Sequence, residues 1–119
     1  MPGARGEGTI ILPGGGECVV LFTNRALADA EKVLGKSILA VAQGFGAGDM
    51  GVGDIAELML VGMRAARHDA RAGGPVPTVA DAYGVMDQVG FTRVAEVVIE
   101  AIAAVLSYGK EETEENPNA

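Results

Sequence analysis

The chain has 119 residues, which is enough for one domain with a hydrophobic core and too few for two ordinary domains. Its formal charge of −7 argues against a nucleic-acid-binding scaffold, which normally carries a basic patch. One cysteine and one histidine exclude a disulfide framework and a zinc module. No apolar run approaches the roughly 20 residues of a membrane span, and the N-terminus lacks an apolar signal stretch. We therefore expect a cytoplasmic protein that binds neither nucleic acid nor membranes.

The two ends of the chain differ from the middle in composition. Residues 110–119 (KEETEENPNA) hold four glutamates and one lysine, so they carry −3 of the total charge and the rest carries −4. This stretch has no apolar anchor, which predicts a disordered acidic tail over residues 109–119. The tail has two interpretations. It is a solubilising end without a specific role, or it is a flexible arm or the visible end of a longer product. Residues 1–6 are expected to form a flexible leader, which leaves residues 7–108 for a single domain.

A β-hairpin is predicted over residues 7–22. Two short runs rich in β-forming residues, Glu7–Leu12 and Glu17–Phe22, flank a glycine-rich break at residues 13–16. Both faces of the second run are apolar, so at least one face must be covered. Because a lone two-stranded hairpin is marginally stable, we expect it to pack on helices or on another subunit.

The periodicity changes to that of helices after Thr23. A first helix is capped by Thr23 or Asn24 and ends at Gly35, where a left-handed backbone suits glycine. A second helix fits residues 37–43, and it is followed by a glycine-rich loop over residues 44–53.

Three further helices follow between residues 54 and 108. The third begins at a cap on Asp54 and runs to about His68, before a linker at residues 72–77. Thr78 and Asp81 form a capping pattern for the fourth helix, which stops at Gly90. The last helix is capped by Thr92, reaches about residue 108 and has the widest apolar stripe, so we expect it at the centre of the core. The fold class is therefore α+β and mainly α: a hairpin followed by about five helices in one compact domain.

The chain offers little material for catalysis. Residues 46–51 spell G-x-G-x-x-G, but a dinucleotide site needs a strand before this motif, whereas a helix precedes it here. A flexible inter-helix loop explains the glycines better. Cys18 is expected to be a buried structural thiol, and His68 has no nucleophile suggested beside it. We expect no catalytic, metal or cofactor site and no enzymatic activity.

A cationic strip, defined as Arg64, Arg67 and Arg71, lies near the end of the third helix. Its spacing has two interpretations. Cations favour a helix C-terminus because of the helix dipole, and this is the ordinary explanation. The alternative is a contact strip for an acidic partner segment, including this protein's own tail.

Several segments resemble a known family, and together they span residues 7–108. A strand runs into a helix of the form aLxxxE at LFTNRALADAE, and the later helices carry DIAELMLVGMR and TVADAY. LGKSI follows the first of these helices, DQVG is the end of the fourth, and the closing apolar helix completes the pattern. This order of segments resembles the tail assembly chaperones of long-tailed bacteriophages and gene transfer agents.

The resemblance implies a non-enzymatic role in virion morphogenesis, in the host cell cytoplasm. Such chaperones bind the tape measure protein, a long helical and apolar chain, keep it soluble, and help to recruit tail tube protein around it. In many phages a ribosomal frameshift gives a longer second product, and the acidic tail would suit the point where the two products diverge. The family carries no catalytic residues that could be transferred to this chain.

A chaperone for an apolar helix needs surplus apolar surface. The candidates for a surface that binds the client or a second copy lie on the last and third helices: Val94, Val98, Ile102, Val105, Met59 and Met63. The same residues are also the natural candidates for the hydrophobic core. The two-faced hairpin makes a homo-oligomer plausible. The alternatives are a structural tail completion or connector component of a phage particle, and a small nucleotide-binding protein or enzyme.

Overall fold

In the computed structural model, residues 6–71 and 73–107 form one domain in which a two-stranded hairpin is followed by five helices. The expected fold class is confirmed. The elements are β1 (Glu7–Ile11), β2 (Glu17–Leu21), α1 (Asn24–Leu34), α2 (Ile38–Gly46), α3 (Val52–Asp69), α4 (Val79–Val89) and α5 (Phe91–Leu106). The predicted tail at residues 109–119 and most of the predicted leader lie outside the described residues.

The hairpin pairs β1 and β2 antiparallel, with Glu7 opposite Leu21 and Ile11 opposite Glu17. Gly6 extends the pairing, because its carbonyl accepts a hydrogen bond of 2.9 Å from the Phe22 amide. Gly6 is also buried, although the sequence analysis placed it in the leader.

Three helices begin at side-chain caps that the sequence signals. The Thr23 hydroxyl accepts a hydrogen bond of 3.0 Å from the Ala26 amide. The Ser37 hydroxyl accepts a hydrogen bond of 3.1 Å from the Ala40 amide. Thr78 and Asp81 form a reciprocal capping box at the start of α4. α1 ends at Gly35 in the left-handed region, as expected.

α4 also ends at Gly90, as expected. Three other boundaries differ from the prediction, and glycine is the common reason. α2 continues three residues beyond Gln43, because glycine weakens a helix without ending it. α3 begins at Val52 with Gly51 as its cap, so Asp54 lies in the first turn, where its charge favours the helix dipole. Gly90, and not Thr92, precedes α5. Glycine caps make no side-chain hydrogen bond, and the sequence pattern alone does not reveal them.

α3 and α5 share the centre of the domain. α3 packs against β2, α1, α4 and α5, while α5 packs against both strands as well as α2, α3 and α4. The hairpin approaches both helices closely through glycines. A Cβ on Gly8 would lie 2.8 Å from the Val97 Cγ1 of α5. One face of the hairpin is thus covered within the chain itself.

Candidate functional site

An open groove lies on the surface where α1, α3 and the end of β2 meet. It encloses about 740 Å³, within the range of ligand sites in proteins. Its apolar lining comes from three elements and consists of Leu21, Ala26, Val33, Val61 and Ala65. Leu21 and Ala26 are buried, Val61 and Ala65 are half-buried, and Val33 is 53% exposed. We call this feature the α1–α3 groove.

Exposed charged side chains border this apolar lining on both sides. α1 contributes Arg25, Asp29 and Lys32, which follow one helix face at spacings of four and three residues. The α3 side contributes Arg64, His68 and Asp69. The border therefore holds three Lys or Arg side chains against two carboxylates. An apolar floor with a mixed but mainly cationic border suits a peptide segment better than a small apolar ligand.

A second recess of about 380 Å³ continues from the groove and shares Leu21 and Asp69 with it. Arg67 lines this recess beside Val19 of β2. Its guanidinium donates to the Gly74 carbonyl, and its Nε atom is buried without a hydrogen-bond partner among the described residues. The recess therefore adds a fourth basic side chain to this face of the molecule.

The structure divides the cationic strip rather than presenting it as one surface. Arg64 donates from Nε to the Pro77 carbonyl at 3.1 Å, and Arg67 holds Gly74 of the same linker. Arg71 lies beyond the end of α3, has a left-handed backbone with φ of 55°, and lines neither cavity. Two of the three arginines thus have a structural role in fixing the linker between α3 and α4.

Basic side chains are concentrated around the groove although the domain is acidic overall. The described residues contain seven Lys or Arg and twelve Asp or Glu. Four of the seven cations line the groove or its recess. By contrast, residues 79–107 carry four exposed carboxylates and one cation, Arg93, which pairs with Glu96 at 3.6 Å. The lining of the groove and its recess, with these four cations and three carboxylates, is therefore less acidic than the surface of residues 79–107.

The side chains proposed from the sequence as a partner surface are largely internal. Met59, Val94, Val98 and Ile102 are at most 1% exposed, so they form the core and present no surface in this fold. Met63 and Val105 are partly buried against the same core. A wide apolar stripe on a helix is the stripe that the fold buries first, so these four residues fit the alternative of a core better than that of an exposed surface.

Among the residues that the structure describes, Cys18 does not line the groove that His68 borders. Cys18 is buried in β2, and this burial raises the pKa of its thiol. Within the described ranges, no group of three or more His, Cys, Asp or Glu side chains could hold a metal ion. The G-x-G-x-x-G motif joins α2 to α3, so no strand precedes it, as expected. No helix among the described residues is long and apolar enough to cross a membrane.

The α1 side of the groove was missed by the sequence analysis. The signal was present, because Arg25, Asp29, Lys32 and Val33 fall on one helix face. What the sequence could not supply was the tertiary contact that sets this face beside Arg64 and His68 of α3.

No protein-family model matches the chain, and no curated protein or solved structure shows significant similarity to it. The resemblance to tail assembly chaperones thus rests on the segments quoted above. The groove is defined by the geometry of the fold and does not depend on that resemblance.

Proposed function

We propose that this chain is a tail assembly chaperone that binds a segment of the tape measure protein in the α1–α3 groove. The observation that carries the proposal is the groove itself, an open apolar channel with exposed charges on both sides. Such a surface binds one face of an amphipathic helix. The role is that of a protein-binding module, without bond-making chemistry.

The length of the groove sets the length of the client helix that it can bind. Arg25 and Lys32 are seven residues apart on α1, which corresponds to about 10 Å or two helical turns. The groove therefore fits about two turns of a client helix laid beside α1 and α3. Its apolar residues at i, i+3 or i+4, and i+7 would contact Leu21, Val61 and Val33, and its flanking carboxylates would face Arg25 and Arg64.

The wider role follows from the resemblance. A chaperone of this kind acts in the host cytoplasm and helps to bring tail tube protein to the tape measure protein, in many phages through a longer frameshifted product. If the chain self-associates, one complex contains several copies of the groove. Several grooves together bind a long client with a higher overall affinity than one groove does. Light scattering tests this part, and a strict monomer contradicts it.

Co-expression with a tape measure protein, which the proposal expects to be encoded beside this gene, tests the proposal. We expect the client to become soluble and to co-purify with the chain. Val33→Asp places a charge in the groove at a residue that is 53% exposed, and it should abolish co-purification while preserving the fold. Val52→Asp is the matched control, because Val52 is 51% exposed on α3 and lies outside the groove.

Two results would contradict the proposal. An insoluble client that does not co-purify with the unmodified chain argues against chaperone activity, and equal loss in both valine variants argues against the groove. Mass spectrometry of purified particles provides a separate test. An assembly chaperone should be absent from them, whereas a tail completion or connector component should be present.

A further inference from the structure

We infer that the acidic C-terminal segment of this chain, residues 110–119, docks on the α1–α3 groove. The inference concerns an occupant within the same molecule. It therefore requires the groove but does not require the proposed client.

The position where the described domain ends is the first argument. A Cβ built on Gly6 would lie 2.7 Å from the Val105 Cγ2 and 2.6 Å from the Phe22 carbonyl oxygen. The last turn of α5 thus lies beside the end of β2. The neighbours of Phe22 in the chain, Leu21 and Thr23, both line the groove. The chain after Ser107 consequently starts close to the β2 end of the groove.

The length of the remaining chain is sufficient. Twelve residues follow Ser107, and an extended chain of that length spans at most about 40 Å. The charged border of α1 is about 10 Å long between Arg25 and Lys32. The segment can therefore run along the whole groove without any change in the domain.

The charges are complementary. Glu111, Glu112, Glu114 and Glu115 fall within five consecutive residues, and Lys110 is the only cation of the segment. Four of the seven described Lys and Arg side chains line the groove and its recess, beside three carboxylates, Glu7, Asp29 and Asp69. The exposed surface of α4 and α5 carries Asp81, Asp87 and Glu100, which repel the segment. Electrostatics thus favours the groove and its recess over the surface of α4 and α5.

The contact should be weak and easily displaced. Residues 110–119 have no large apolar side chain to fill the floor of the groove, and exposed ion pairs contribute little individually. Tethering compensates for this weakness, because it gives the segment an effective concentration of about a millimolar. A ligand with both carboxylates and apolar side chains would displace it.

Paramagnetic relaxation in the full-length chain tests the inference. A nitroxide is attached at Ala119→Cys in a Cys18→Ala background, so that the label is unique. We expect the backbone amide signals of residues 25–33 and 64–68 to broaden at low salt, and those of residues 81–100 to stay sharp. The broadening should disappear at about 1 M salt, where the Debye length falls to about 3 Å.

A pair of charge variants identifies the partners. Arg25→Gln with Lys32→Gln should remove the broadening. The matched control, Lys36→Gln with Arg93→Gln, makes the same change in net charge outside the groove and should leave the broadening intact. Broadening that is spread over both faces, or that persists in the Arg25 and Lys32 variant, would overturn the inference.

Mixing two preparations separates this chain's own segment from that of a second copy. One preparation carries the isotope label, and the other carries only the nitroxide. Broadening in the mixture means that the segment docks between chains, which contradicts the intramolecular contact. A failure to bind the tape measure protein affects none of these readouts, so the two proposals fail separately.

Discussion

Gly62 of α3 faces the ring of Phe22 so closely that a Cβ at this position would lie 2.8 Å from the Phe22 Cζ. The same Cβ would lie 2.8 Å from the Val20 Cβ, an atom that cannot move without the strand. This pair of residues sets how closely the central helix approaches the hairpin. Since α3 also carries one side of the groove, the approach helps to position the groove as well.

We expect Gly62→Ala to destabilise the domain. Overpacking of a core contact costs about 1–3 kcal/mol, which exceeds the gain of roughly 0.8 kcal/mol that alanine brings to a helix. Gly84→Ala is the matched control, because Gly84 lies in α4 with no atom within 4 Å of its Cβ position. It should gain about 0.5–1 kcal/mol. Urea unfolding of both variants checks the prediction, which a stabilised Gly62→Ala variant would contradict.

Thr78→Ala should cost about 1 kcal/mol of unfolding free energy. The substitution removes the hydroxyl that accepts from the Asp81 amide and so breaks one half of the capping box. Thr92→Ala is the control, because the sequence marks Thr92 as a cap although the structure places it inside α5. Its effect should stay within about 0.5 kcal/mol. Equal effects of the two substitutions in thermal or urea unfolding would disprove the assignment of caps.

Ile102→Ala should lower the free energy of unfolding by about 2–5 kcal/mol, because Ile102 is 1% exposed in the core. Ile11→Ala makes the same chemical change at a side chain that is 63% exposed, and it should have an effect within about 0.5 kcal/mol. Chemical denaturation measures both. If Ile102→Ala kept full stability and lost only partner binding, Ile102 would belong to a surface after all.

Cys18 makes stability depend on pH in the alkaline range. Burial raises the pKa of its thiol in the folded chain, whereas the thiol of the unfolded chain ionises at about pH 8.5. Above the unfolded value the folded state holds more protons, so the free energy of unfolding falls as pH rises toward the folded pKa. Below the unfolded value this contribution is fully present.

The measurement is urea unfolding between about pH 7 and about pH 10, which brackets the ordinary thiol pKa. Subtracting the same series for Cys18→Ala removes the effect of the other titrating groups. The difference in stability between wild type and variant should decrease with rising pH. A difference that is flat or increases would show that the thiol is accessible to water.

The features that the sequence predicted are those with a local cause. The hairpin follows from two short β-forming runs around a glycine-rich break, and the starts of α1 and α4 follow from hydroxyl caps at Thr23 and Thr78. The starts of α3 and α5 were misplaced because Gly51 and Gly90 cap through the backbone alone.

The candidate site was harder to predict because it depends on packing between distant segments. One helix face of α1 and one of α3 each carry an ordinary amphipathic pattern. Only the packing of α1 against α3 turns Val33 and Val61 into parts of a single groove. Residues such as Val98 have a stronger apolar signal in the sequence, and for that reason the fold buries them.

The contact between Gly6 and Val105 places the entry and the exit of the domain side by side. Two ends that meet in this way can be joined by a short linker, and the chain can be opened elsewhere in a surface loop. The glycine-rich turn at residues 13–16, between β1 and β2, is a suitable opening. A circular permutant of this design should keep the same core.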